Sequence, residues 1–200
     1  MADRKGGALS NPRQVFVLSG PSGVGKNTIA DALRRQGSAV RAVTATTRPA
    51  RPGEVDGKDY AFLSEDEFRR WMAEGRLVEH TRYLGRYYGT PADAVNRAAA
   101  SGLPVVLTID VDGALQMKRQ WPEVTLVFIE APSEEELRRR QLSRGGDDPA
   151  AVERRLKRAR RERAYAGRYD YRVVNDDLGR AVAEVARILA GAGKPSERAS

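Results

Sequence analysis

The sequence predicts an α/β fold, a parallel β-sheet flanked by helices. Three observations predict it. Short β-rich runs alternate with helical periodicity along most of the 200 residues, the rhythm of strand–helix–strand units. The first run passes directly into a glycine-rich turn, Ser19-Gly20-Pro21-Ser22-Gly23-Val24-Gly25-Lys26-Asn27-Thr28, which opens an amphipathic helix. The rhythm then lapses between Val43 and Tyr88, where short strands and turns read as an insertion into the sheet.

Val15 to Leu18 is the first strand, and the helix from Lys26 shows Ile29, Ala32 and Leu33 on one face. Between them, Gly20, Gly23 and Gly25 let the backbone aim its amides at an anion. The helix adds its positive N-terminal end and Lys26 a mobile cation. An ordinary glycine-rich turn is the alternative, and the flanking strand and helix favour the phosphate loop. The loop pattern places a hydroxyl for Mg²⁺ directly after the lysine. Here that position is Asn27, whose carbonyl reaches the ion best through water, with Thr28 one residue later.

The insertion carries turns at Pro49, Pro52, Gly53 and Gly57 and one helix from about Ser64, with Phe68, Trp71 and Met72 as its private core. Thr90 followed by Pro91 reads as an N-cap with proline at the first helical position. Pro104 to Ile109 leads into a helix near Gly113 to Gln120; Val124 to Ile129 leads into a helix after Ser133, where Ser133 and Glu136 have capping-box spacing. From Ser143 to Gly167 the apolar face shrinks to Val152, Leu156 and Ala159, so this segment is expected to move. Tyr171 to Val174 precedes a last helix with Leu178, Val182, Val185 and Leu189 on one face. The expected organisation is a flexible tail at 1–12, core at 13–42, 91–137 and 168–190, an insertion at 43–90, a lid at 138–167 and a flexible tail at 191–200.

With 40% hydrophobic residues the chain can bury one substantial core. No cysteine is present, which excludes disulfides and thiolate metal sites. No apolar run approaches the roughly 20 residues that cross a bilayer, and the N-terminus lacks a signal-peptide core. A cytoplasmic protein without a membrane partner is expected. The net charge of +8 is local: residues 138–163 hold eleven Lys and Arg against four Asp and Glu. An RNA- or DNA-binding stripe, a solvated face or a polyphosphate clamp would each use such arginines. No nucleic-acid-binding signature accompanies them, so the clamp ranks first and no nucleic-acid partner is expected.

The segment Thr44-Ala45-Thr46-Thr47-Arg48-Pro49-Ala50-Arg51-Pro52-Gly53-Glu54-Val55-Asp56-Gly57-Lys58-Asp59-Tyr60, with Glu79 and Gly85-Arg86-Tyr87-Tyr88-Gly89-Thr90, closely resembles guanylate kinase. The resemblance runs from about Val15 to Leu189. It implies a P-loop NTPase-like core, a β-rich GMP-binding subdomain and an arginine-rich helical lid. It implies ATP as co-substrate, held by Gly20, Ser22, Gly23, Val24, Gly25, Lys26, Asn27 and Thr28, with Asn175 near the adenine. For GMP it implies Arg48, Arg51, Tyr60 and Tyr88 on the phosphate, Glu79 accepting from guanine N1 and N2, Thr44 and Thr90 near O6, and Asp110 at the amino group. Mg²⁺ is expected, with Asn27 (through water) and Asp110 as its candidate ligands. Lys26, Arg48 and the lid residues Arg140, Arg144 and Arg155 are the catalytic candidates. His80 matches no role. Besides Asn27, two positions depart from the family's pattern: Thr108 replaces the first acid of an acid-x-Asp pair, and Asp112 stands where glutamine is usual.

The implied activity is reversible transfer of the ATP γ-phosphoryl group to GMP, giving ADP and GDP in purine nucleotide metabolism, with dGMP as a further acceptor to compare. Other readings stay open: a catalytically weak phosphopeptide-binding module, a kinase for a ribose phosphate, or a nucleic-acid binder. The sequence leaves oligomeric state undetermined.

Overall fold

The computed structural model describes residues 7–83, 85–143 and 149–191, without the side chains of 149–151. Five strands form an all-parallel sheet in the order β2 (Val40–Arg41), β7 (Val105–Thr108), β1 (Val15–Ser19), β8 (Thr125–Glu130), β9 (Tyr171–Val174). β1 lies at the centre, buried at every residue. A strand covered on both faces need not alternate apolar with polar, hence Val15-Phe16-Val17-Leu18.

The two faces feed two cores. Phe16, Leu18, Val127 and Ile129 pack with residues of α1 (Lys26–Arg35), α5 (Glu134–Leu142), α6 (Pro149–Arg163) and α7 (Leu178–Leu189). Val15, Val17, Leu126 and Phe128 pack with α3 (Ala92–Ala99) and α4 (Val111–Gln120), where Trp121 is fully buried. Alternate residues of one strand therefore serve opposite layers.

The insertion folds as a second, four-stranded sheet in the order β4 (Ala61–Phe62), β3 (Ala45–Thr46), β6 (Arg86–Pro91), β5 (Leu77–Tyr83), with α2 (Glu65–Ala73) against it. Ala45, Phe68 and Leu77 form its own small core, edged by Trp71 and Met72. Ser64 caps α2 in a complete capping box with Glu67.

Several local expectations change. Thr90 is not a helix cap: Pro91 takes the N-cap position of α3, and the extended backbone favoured before proline keeps Thr90 in β6. Ser133 caps α5, but the Glu136 carboxylate turns to Arg139 and Arg140 instead of closing the box, because charged donors outbid a neutral amide. Leu178 is exposed while Ala181, Val182, Val185, Ile188 and Leu189 are buried, since the first turn of α7 overhangs the core. Residues 7–11 are docked rather than loose: Leu9 is buried, and Ser10 and Ala8 hydrogen-bond the Asn96 side chain. Val152, Leu156 and Ala159 are all buried in the first core, so the lid helix is seated through its narrow stripe. The segments 1–6 and 192–200, expected as tails, lie outside the described residues.

Candidate active site at the carboxyl edge of the parallel sheet

The strands β1 and β7 end at one cavity of about 200 Å³, closed on its far side by the second sheet. Ligands gather at this edge in open α/β sheets. The glycine-rich loop forms one wall. Gly20 has φ 130° and lies so close to β8 that a Cβ there would stand 2.1 Å from the Ile129 carbonyl oxygen. Gly25, at φ 95°, is the N-cap of α1; a Cβ would meet the Asn175 amide at 2.4 Å. Both positions require glycine for conformation and for space. Lys26 Nζ donates to the Gly20 and Pro21 carbonyls at 2.5 and 3.0 Å. Asn27 and Thr28 are exposed and border the cavity. Val24 contributes backbone alone, its side chain being fully buried.

Two amides grip the loop from behind. Asn175 Nδ2 donates to the Val24 carbonyl and Gln141 Nε2 to the Ser22 carbonyl, each at 2.8 Å. Asn175 thus stands behind the loop, off the cavity wall.

Arg48, Arg51, Tyr60 and Tyr88 gather on the opposite wall. Arg48 lies over the Tyr60 ring at 5.3 Å and Tyr60 meets Tyr88 edge-on at 6.4 Å. Glu54 grips the Arg48 guanidinium through both oxygens, at 2.8 and 2.9 Å, and accepts from the Arg51 amide at 2.7 Å. Burial alone would raise its pKa, yet the Arg48 bond holds the carboxyl below its usual value. Among the described residues, Arg48 Nε has no partner, so one edge of the guanidinium stays available for an anion.

Glu79 forms the floor. Facing residues of antiparallel β5 and β6 bring it to Thr90, whose hydroxyl donates to Glu79 Oε1 at 2.6 Å. Thr44, also buried, lines the same end. Burial lifts the Glu79 pKa to about 8; the Thr90 bond opposes this and the Asp110 charge adds to it. Gly113 leaves room for the carboxylate: a Cβ there would sit 2.4 Å from Glu79 Oε2.

Asp110 is the N-cap of α4. Its Oδ1 accepts from the Gly113 amide at 2.8 Å and its Oδ2 from the Thr81 hydroxyl at 2.9 Å. Both oxygens are engaged, and no group of three His, Cys, Asp or Glu suited to a metal exists among the described residues. Asn27, Thr28 and Asp110 nonetheless border one cavity beside the lysine. That set fits a Mg²⁺ carried mainly by phosphate oxygens and water, the usual state of this ion at nucleotide sites.

The lid arginines divide. Arg140 lies off the cavity wall, its Nε on Glu136 at 2.7 Å and its Nη2 on the Asn175 carbonyl at 2.9 Å. Arg155, on α6, is half-buried and near enough to Tyr83 to act on its charge. Arg144 lies outside the described residues. The surplus cations are interlaced with acids: Arg138 with Glu153, Arg139 with Glu136, Arg160 with Glu134, Arg163 with Glu130. His80 is half-buried, and burial lowers its pKa.

No sequence signal marked Thr81, Tyr83, Gln141 or Glu162 as site residues, and Thr108 was marked only as a departure from the acid-x-Asp pair. Tyr83 carries Arg158 over its ring at 4.1 Å, and Arg158 also binds Glu162 at 2.7 Å, joining α6 to β5. Thr108 lies near the cavity with its hydroxyl buried and unbonded among the described residues. Gln141 could have been noticed only as a polar residue on the buried side of an otherwise charged helix. Glu54 lay inside the motif but carried no role.

The guanylate kinase family model matches residues 12–192. A guanylate kinase of Gloeobacter violaceus is 55% identical over 177 residues, 88% of this chain and 86% of that protein. One of Rubrobacter xylanophilus is 46% identical over 88% of this chain and 93% of its own length. The crystal structure of guanylate kinase from Anaplasma phagocytophilum superposes with a TM-score of 0.74 at 34% identity, covering 92% of this chain and 88% of that one.

Proposed function

This chain belongs to the guanylate kinase family, and from that premise we propose that it transfers the γ-phosphoryl group of ATP reversibly to the phosphate of GMP. One observation carries the reading: the phosphate loop and the Arg48–Tyr60–Tyr88–Glu79 set border one cavity. Donor and acceptor would meet there without intervening water.

The loop amides and Lys26 hold the ATP phosphates, using donors directed by a helix N-terminus. Arg48, Arg51, Tyr60 and Tyr88 hold the GMP phosphate, with Glu54 keeping Arg48 oriented. Glu79, once ionised, accepts from guanine N1 and N2 together, while Thr44 and Thr90 meet the O6 edge. Adenine offers an acceptor at N1 and no 2-amino group, so it would leave Glu79 buried and unpaired. The acceptor is already an ionised phosphate, and no general base is needed. Catalysis is in-line positioning and charge neutralisation. Arg140, Arg144 and Arg155 are the lid cations for the transferred group; Arg140, whose Nη1 has no partner among the described residues, would reach it only by turning in from its place off the cavity wall. Mg²⁺, when bound to ATP, would neutralise its phosphate oxygens, with Asn27 and Asp110 reached through water. A cysteine-free chain suits a cytoplasmic place in purine nucleotide metabolism.

The experiment is an ADP-release assay on the purified chain with Mg²⁺, offering GMP, dGMP, AMP and a ribose phosphate in turn. ADP release with the guanine nucleotides alone is expected. Equal turnover with AMP or the ribose phosphate, or none with GMP, would overturn the assignment.

A further inference from the structure

We propose that Gln141 is a positioning residue for the ATP phosphates, acting through the loop backbone. It lies on α5, 1% exposed, and its Nε2 donates to the Ser22 carbonyl 119 positions away in sequence. A trans peptide is planar, so its carbonyl and the following N–H point to opposite sides. Holding the Ser22 carbonyl toward α5 therefore turns the Gly23 amide toward the cavity. Asn175 does the same for Val24 and the Gly25 amide. Both glycines border the cavity. The approach is close: a Cβ on Gly23 would stand 3.1 Å from Gln141 Cγ.

The side chain makes little sense as a stabiliser. Its Oε1 is buried with no hydrogen-bond partner among the described residues, so a leucine or methionine here would spare the fold an unmet acceptor. The amide orientation is also settled, because turning it over would set oxygen against the Ser22 oxygen. A buried group that satisfies half of its hydrogen bonding, and spends that half on the phosphate loop, is kept for the loop.

The inference rests on the reading of this loop as the ATP site. Its test measures ATP affinity by calorimetry, nucleotide-free melting temperature and Michaelis constants for the full chain and for Gln141→Leu, Gln141→Met and Lys26→Ala. Gln141→Leu and Gln141→Met should each weaken ATP binding three- to tenfold, leave the KM for GMP within twofold and leave the melting temperature unchanged or raised. A merely structural glutamine would not separate stability from ATP affinity in this way. Unchanged ATP affinity in both variants, or a loss in one alone, overturns the proposal. If Lys26→Ala also leaves ATP affinity unchanged, the ATP-site reading itself fails, an outcome distinct from failure at Gln141.

Discussion

Replacing Glu79 by glutamine should stabilise the nucleotide-free protein while disabling guanine recognition. Burial raises the carboxyl from 4.5 to about 8, so the folded state holds a proton that the unfolded chain releases at neutral pH. The stability of a group with a raised pKa is fully present below the unfolded value. It is lost progressively as pH rises between 4.5 and about 8, and levels off above. At about 1.4 kcal/mol per unit, the loss is about 3 kcal/mol at pH 7 and about 5 kcal/mol at pH 9. Glutamine keeps an acceptor for the Thr90 hydroxyl and carries no charge at any of these values. For a chain of this size, about 3 kcal/mol corresponds to a melting-temperature gain of roughly 6–12 °C. Thermal scans of both proteins without nucleotide, from pH 5 to pH 9, should show curves that nearly coincide at pH 5 and diverge as pH rises. A constant offset across that range would refute the reasoning. The same carboxyl must ionise to accept from guanine, so the KM for GMP in the unaltered chain should fall about tenfold per unit between pH 6 and 8 while the KM for ATP does not follow.

Gly113→Ala puts a methyl against Glu79 Oε2, and the KM for GMP should rise at least tenfold with ATP affinity retained, read from initial rates. Glu54→Ala frees Arg48 from its bidentate partner; GMP binding should weaken about tenfold, with a smaller loss for Glu54→Gln, measured by calorimetry. Asp110→Ala removes the α4 cap and should cost about 1 kcal/mol, a melting shift of roughly 2–4 °C. Should the Mg²⁺ requirement alone change and the melting temperature stay put, the cap is not its main role. Asn27→Ser restores a hydroxyl beside Lys26 and should lower the Mg²⁺ concentration for half-maximal turnover; an unchanged titration would show that Asn27 does not set metal dependence.

Legibility in the sequence followed the range of the interactions. Strands such as Val15–Ser19 and Thr125–Glu130 were readable because covered strands are near-continuous apolar runs. β2 was not, since two residues carry no periodicity and Val40–Arg41 becomes a strand only by pairing with β7. Thr90 was misread as a cap because its local pattern fits one, whereas its partner, Glu79, lies across a strand pair. Asp110 was read for the nucleotide, and its local duty as a cap emerged only with the start of α4.

By itself the sequence determined the loop, the insertion and the family, because these are carried by residue types at short, fixed spacings whose backbone consequences are local. Tertiary structure decided the burial of Glu79, the pairing of Arg138, Arg139, Arg160 and Arg163 with acids and the grip of Gln141 and Asn175 on the loop. Those properties depend on how far each group is taken from water and on which distant partner it then meets, and neither is written in the spacing of residues along a chain.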